Sequence, residues 1–203
     1  IEKELDVAKS IQTSILPHDF TPLTNWKNFE IFGAMLPAKH VGGDFFDFFS
    51  VDSESIAFTI ADVSGKGVPA ALFMTMTRGL FRALGQKTHS PLQCLQQLNE
   101  LITMENESSM FVTAFYGIFN ANSGEIQYSN AGHNPPYLIR SDGSLEQIGR
   151  SQGIALGVVK DNSHFQENKL YLSHSPAYFS KEEFVKLIRS REIWIAGHAS
   201  IIK

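Results

Sequence analysis

The chain has 203 residues, 43% of them hydrophobic and 19% charged, with a formal net charge of −4 and a pI near 6.0. That length supports one sizeable core, and the acidic balance argues against a general nucleic-acid binder, which needs a basic field to neutralise phosphates. A lone Cys94 excludes an intrachain disulfide framework and a cysteine-rich zinc site, so a reducing, cytoplasmic setting is expected.

Residues 1–15 place Ile1, Leu5, Ala8, Ile11 and Ile15 three and four apart, the stripe of an amphipathic helix that Pro17 stops. The stripe starts without a cap or an initiator Met, which leads us to expect a fragment whose helix continues upstream. Residues 1–17 then read as a coiled-coil-like linker able to join two chains as a homodimer through residues 1–15, with an ordinary core-packing helix as the alternative. Apolar runs elsewhere are broken every few residues, and none approaches the roughly 20 needed to span a bilayer.

After a polar connector at 18–28, the runs 29–36, 44–51 and 55–61 read as strands rich in Phe and Ile, the last two joined by a turn at Asp52-Ser53-Glu54. Pro69 suits a first helical position, and the apolar run 70–84 ends at Gly85, which is expected just past the helix. Ser90-Pro91-Leu92-Gln93 is a capping-box pattern for a second helix to about Met104. Strands follow at 112–119, 126–130, 136–140 and 145–148, with a further candidate at 165–172. Strands, two consecutive helices, then more strands describe an α+β layered domain with antiparallel hairpins. In the tail, Ser180-Lys181-Glu182-Glu183 is a cap pattern for a short helix to about Ser190.

Two acidic signatures carry the chemistry. In Val41-Gly42-Gly43-Asp44 the glycines allow a sharp turn and close approach to a ligand, ahead of the aromatic strand Phe45-Phe46-Asp47-Phe48-Phe49. Asp47 lies three positions on, so strand alternation turns it away from Asp44. In Asp62-Val63-Ser64-Gly65-Lys66-Gly67 a carboxylate closes an apolar strand and leads through a glycine-rich turn into a helix N-terminus, a layout that favours anions. A strand ends in an ionised Asp at high cost unless a cation or hydrogen bonds stabilise it. The pattern is no Walker A loop, and Asp62 stands where the first Gly of a Gly-x-Ser-x-Gly elbow belongs, so Ser64 as a nucleophile is a minor alternative. A third patch, Asn130-Ala131-Gly132-His133-Asn134-Pro135-Pro136, is a candidate to line the cleft, against the plainer reading of His133 as a loop histidine bonded to backbone.

These motifs, with Val68, Ala70-Ala71-Leu72 and Met110-Phe111-Val112-Thr113, resemble the SpoIIE/RsbU branch of the metal-dependent (PPM, type 2C) serine/threonine phosphatases. The likeness covers about residues 4–172 and includes the leading helix with Ile11-Gln12 and Leu16-Pro17, similar to the linker that joins such domains to an upstream sensor or receiver. It implies an α+β αββα sandwich of two mainly antiparallel sheets flanked by helices, formed by residues 18–172 and incomplete at the C-terminus. It also implies two Mn²⁺ or Mg²⁺ ions. Asp62 would bridge them with help from the Val63 carbonyl, and Asp44 would hold the attacking water. Lys39, Gly43, Ser64, Gly65, Lys66 and His133 would contact phosphate or line the cleft. The implied substrate is a phosphorylated protein of anti-anti-sigma type.

Residues 173–203 depart from that pattern. Where a relative continues through a Gly-Asp turn to a Thr-Asp-Gly strand and a final Asp, this chain reads Ser173-His174-Ser175-Pro176, and no Asp follows Asp161. Two metal-binding acids lack counterparts, which predicts weak metal binding and low activity, since hard divalent ions seek roughly six oxygens. The rival reading is a non-catalytic phosphatase fold that binds a signalling partner.

Overall fold

The structure, a computed structural model, describes residues 2–18, 30–33, 35, 41–104, 106–139, 144–149, 153–172 and 199–202. Its elements run α1 (Glu2–Ile15), β1 (Glu30–Gly33), β2 (Phe45–Ser50), β3 (Ser55–Val63), α2 (Val68–Gly85), α3 (Pro91–Met104), β4 (Val112–Asn120) and β5 (Glu125–Ala131). The shorter strands β6 (Tyr137–Ile139), β7 (Leu145–Gln147), β8 (Asn168–Tyr171) and β9 (Ala199–Ile202) follow. An antiparallel sheet of five strands in the order β2-β3-β4-β5-β8 forms the centre, and β1-β9 and β6-β7 are separate antiparallel pairs.

The Phe-rich run of β2 is explained by burial on both faces, which removes the polar half of the usual alternation. Phe45 and Phe49 join the helix-side core with Ala57, Ala61 and Val63 of β3, Met74 and Phe81 of α2, and Cys94, Leu95 and Leu98 of α3. Phe46 and Phe48 face the other way, into a second cluster with Ile56, Phe115, Phe119, Ile126 and Tyr128, against which Ile31 of β1 packs. Asp47 sits between Phe45 and Phe49 on the helix side, fully buried. It receives Arg82 Nε at 3.0 Å and Nη2 at 2.6 Å, with Arg78 Nη2 at 3.0 Å. Two arginines from α2 therefore neutralise the one charge inside β2.

Three local expectations are corrected. The β3 strand runs two residues past Ala61, so Asp62 lies inside the ladder opposite Thr113 rather than beyond its end. Gly85 belongs to the last turn of α2, and the C-cap is Gln86 in right-handed conformation. A Cβ at Gly85 would sit 2.5 Å from the Tyr116 hydroxyl and 2.6 Å from Phe49, so close packing rather than a left-handed turn requires glycine there. On α1 the buried polar position is Gln12, while Ile11 of the expected stripe is exposed beside Val7. Ser90 does cap α3, accepting from Gln93 N–H at 3.2 Å, and its hydroxyl donates to Glu167 at 2.6 Å.

The turn expected at Asp142-Gly143, between the 136–140 and 145–148 strands, and the 180–190 helix fall outside the described residues. Among the described residues, no helix is long and apolar enough to cross a membrane.

Candidate metal centre

Asp44 and Asp62 reach one another from different elements. Asp44 ends the Val41–Gly43 turn just before β2, Asp62 is next to last in β3, and the pairing of Phe45 with Ala61 places the two positions side by side. Their carboxyl groups are hydrogen-bonded, and the Asp62 carboxyl is pushed up to about 6, first by desolvation and then by the hydrogen bond and charge of Asp44. Like charges held this close share a proton or a cation.

The backbone around the pair is tightly built. A Cβ at Gly43 would sit 2.8 Å from the Val63 carbonyl oxygen and 3.3 Å from Ala70 Cβ, so glycine lets the turn close onto both β3 and the first turn of α2. Gly42 is held by Gln12 of α1, whose Nε2 donates to its carbonyl at 2.6 Å and whose Oε1 accepts from its amide at 3.0 Å. After Asp62 the chain turns through Gly65 and Gly67, both at positive φ, and enters α2 at Val68.

Ser64 is tied to the start of β4: its amide donates to the Phe111 carbonyl at 2.8 Å, and its hydroxyl accepts from the Phe111 amide at 2.9 Å. Those bonds give Ser64 a structural part, and the His133 ring pairs elsewhere. His133 Nδ1 shares a hydrogen bond of 2.9 Å with Thr113 Oγ1, on the residue opposite Asp62. Its backbone is pinned by Asn130, which accepts from the His133 amide at 2.8 Å and donates to its carbonyl at 3.0 Å. Burial lowers the His133 pKa, against a smaller opposing effect of the Asp44 charge. The bonds to Thr113 and Asn130 fit the plainer reading of a bonded loop histidine, and the buried ring lies within the electrostatic reach of Asp44.

Gly65 and Lys66 are exposed in the turn, and Lys39 lies outside the described residues. Sequence reasoning missed Gln12 as the residue that grips the Gly42 turn and Thr113 as the partner of His133, although both stand in the quoted motifs. A glutamine inside an apolar stripe was the available signal.

A pair of contacting carboxylates, with one proton already hard to remove, is a donor set for a hard divalent cation. Among the described residues, no third His, Cys, Asp or Glu joins them to make a larger metal-holding group.

The antiparallel sheet with two helices on one face and paired acids at one end has the fold of the type 2C phosphatase class. Residues 52–175 match the family model for stage II sporulation protein E, and the chain belongs to this SpoIIE family. It is 33% identical over 167 residues to the phosphoserine phosphatase RsbU of Bacillus subtilis, a match covering 82% of this chain and 48% of that protein. The chain therefore spans about half the length of this curated relative. Among solved structures, the SiaA PP2C domain of Pseudomonas aeruginosa superposes with a TM-score of 0.69 at 18% identity, covering 87% of this chain and 68% of that one. The SpoIIE phosphatase domain of Bacillus subtilis gives 0.64 at 13% identity, covering 86% and 61%. At those identities the two structures speak to the fold.

Proposed function

We propose that the chain is a cytoplasmic, metal-dependent protein phosphatase domain acting on phosphoserine or phosphothreonine, the output module of a longer bacterial signalling protein. The carrying observation is the contact between Asp44 and Asp62, two acids from separate elements held together although each raises the cost of ionising the other. Asp44, Asp62 and the Val63 carbonyl are the groups that would hold Mn²⁺ or Mg²⁺. When bound, such ions supply charge neutralisation at phosphoryl oxygens and acidify water for in-line attack. The chain's own contribution is placement: Gly43 and Gly42 bring Asp44 onto β3, the ladder with Thr113 fixes Asp62, and the Gly65–Gly67 turn leaves room for a phosphate.

The substrate read from the family resemblance is a phosphorylated anti-anti-sigma-type protein, and the 33% identity to a phosphoserine phosphatase supports a phosphoserine ester. Release of phosphate in the presence of Mn²⁺, abolished by EDTA and by Asp62→Asn, is the expected result. Activity surviving both treatments would sink the reading.

One observation favours a second reading, a non-catalytic module that binds a signalling partner. Among the described residues no third His, Cys, Asp or Glu joins the acid pair, and two carboxylates under-coordinate a two-ion centre. Calorimetry separates the two: micromolar Mn²⁺ binding at two sites supports the enzyme, and no heat at millimolar Mn²⁺ supports the module.

A further inference from the structure

The turn that follows Asp62 is flanked on both sides by exposed apolar side chains. On one side α2 begins, and its outward residues Val68, Pro69, Leu72, Thr75 and Met76 carry no charge; Val68 and Leu72 are 45% and 68% exposed. The first charged residues of this helix, Arg78 and Arg82, are folded back onto Asp47. On the other side stands Phe111, 40% exposed, whose backbone is bonded twice to Ser64. Behind it, reciprocal bonds between Val112 and Leu156 bring the 153–158 loop alongside, with Val158 52% exposed. An exposed apolar cluster beside a polar site marks an interaction surface rather than a packing residue of the core.

We infer that Val68, Leu72, Phe111 and Val158 form the docking surface for the phosphoprotein substrate, which lays an uncharged, apolar face on them while its phosphoserine reaches the Asp44–Asp62 pair. This rests on the proposed phosphatase reading and names how the substrate is recognised. Position selects the occupant, because the surface continues directly from both ends of the Asp62 turn. A folded protein that presents a phosphoserine there covers these residues, whereas a small phosphomonoester has no need of them. Charge agrees: within the Asp62–Gly67 turn and the outward α2 residues up to Met76, Lys66 is the only cation. The matching face therefore needs no acidic patch beyond the phosphate, and recognition should depend little on salt.

The test uses the full 203-residue chain and a phosphorylated anti-anti-sigma-type protein from the same genome, with binding read by fluorescence anisotropy in EDTA. Leu72→Asp and Phe111→Asp should each weaken binding at least tenfold, with Leu72→Met recovering it, because a few central apolar side chains dominate such interfaces. With Mn²⁺, the loss in kcat/KM should be at least ten times larger for the phosphoprotein than for p-nitrophenyl phosphate. Equal losses on both substrates, or binding by both Asp variants within twofold of the parent, would overturn the docking surface. So would light scattering that finds a dimer split by Leu72→Asp with phosphoprotein binding intact, which would assign the face to a second copy. A parent chain that hydrolyses p-nitrophenyl phosphate but fails to bind the phosphoprotein overturns the docking surface alone. One that binds, with the Asp variants weakened, yet hydrolyses nothing overturns the catalytic reading and supports the surface.

Discussion

Gln12 holds Gly42 by both of its backbone polar groups, donating to the carbonyl at 2.6 Å and accepting from the amide at 3.0 Å across 30 residues of sequence. The amide of a helix side chain thereby serves the Gly42 backbone as a neighbouring strand would. Gly42 is two residues from Asp44, so the leading helix sets the height of one acid of the pair. Gln12→Ala removes two hydrogen bonds, each contributing about 1 kcal/mol, and should lower the midpoint of thermal unfolding. Mn²⁺-dependent phosphatase activity should fall further than stability, by tenfold or more, because Asp44 loses its fixed position. Gln12→Glu keeps the acceptor but loses the donor, and should resemble Gln12→Ala. Activity equal to that of the parent at a temperature where the variant is fully folded would contradict this coupling.

The raised Asp62 carboxyl makes a prediction about pH. Its folded pKa is about 6 against an ordinary value of 3.8, so between these values the folded chain holds a proton that the unfolded chain has released. Metal-free stability should therefore fall as pH rises from about 4 through about 6 and level off above. A divalent cation competes with that proton, so Mn²⁺ should raise the unfolding temperature at pH 7.5 and have little effect at pH 5. Asp44→Asn removes the neighbouring charge, the smallest of the three effects after burial and the hydrogen bond, and should bring the Asp62 titration part of the way down. Carboxyl carbon NMR across pH 3–8 reads this directly.

Asp47 gives a stability prediction independent of catalysis. It is fully buried, and both of its oxygens are taken by Arg78 and Arg82. Removing one partner of a buried pair leaves charge uncompensated, at about 3–5 kcal/mol. Asp47→Ala should lower urea stability by that order and loosen α2, since two arginines lose their anchor. Adding Arg78→Met and Arg82→Met should recover much of the loss, and a triple variant no more stable than Asp47→Ala would count against the ion cluster as the cause.

Much of this fold was legible because its strands are apolar runs set off by turn residues and its main helices carry Pro, Gly and capping signals. The sites of both main helices, the Asp52–Glu54 turn and the β4–β5 hairpin all follow from apolar spacing and turn residues. Failures came where a residue serves a neighbour distant in sequence. Gly85 looks like a helix terminator, but its missing Cβ makes room for Tyr116 and Phe49. Ile11 fits the stripe by spacing, yet the helix is rotated so that Gln12 faces in, because the Gly42 backbone needs a donor and an acceptor more than the core needs another methyl group. The acid pair was legible as two strand-end carboxylates. Their mutual contact was not, since it depends on the register between Phe45 and Ala61.

Cys94 offers a probe of the helix-side core. The thiol is fully buried on α3, and burial pushes it up to about 12, with Tyr116 and Thr88 drawing it partly back through hydrogen bonds. Thiolate is the reactive form, so the folded chain should be inert to a disulfide reagent such as DTNB near neutral pH despite carrying a free cysteine. Labelling then requires an opening that exposes α3, and its rate in rising urea should track the loss of the native population. Since α3 packs on the same core as Phe81 and Met74 of α2, Asp47→Ala should accelerate labelling in proportion to its loss of stability. Rapid labelling of the parent chain without denaturant would show that this side of the core opens locally, and would remove Cys94 from the cooperative unit.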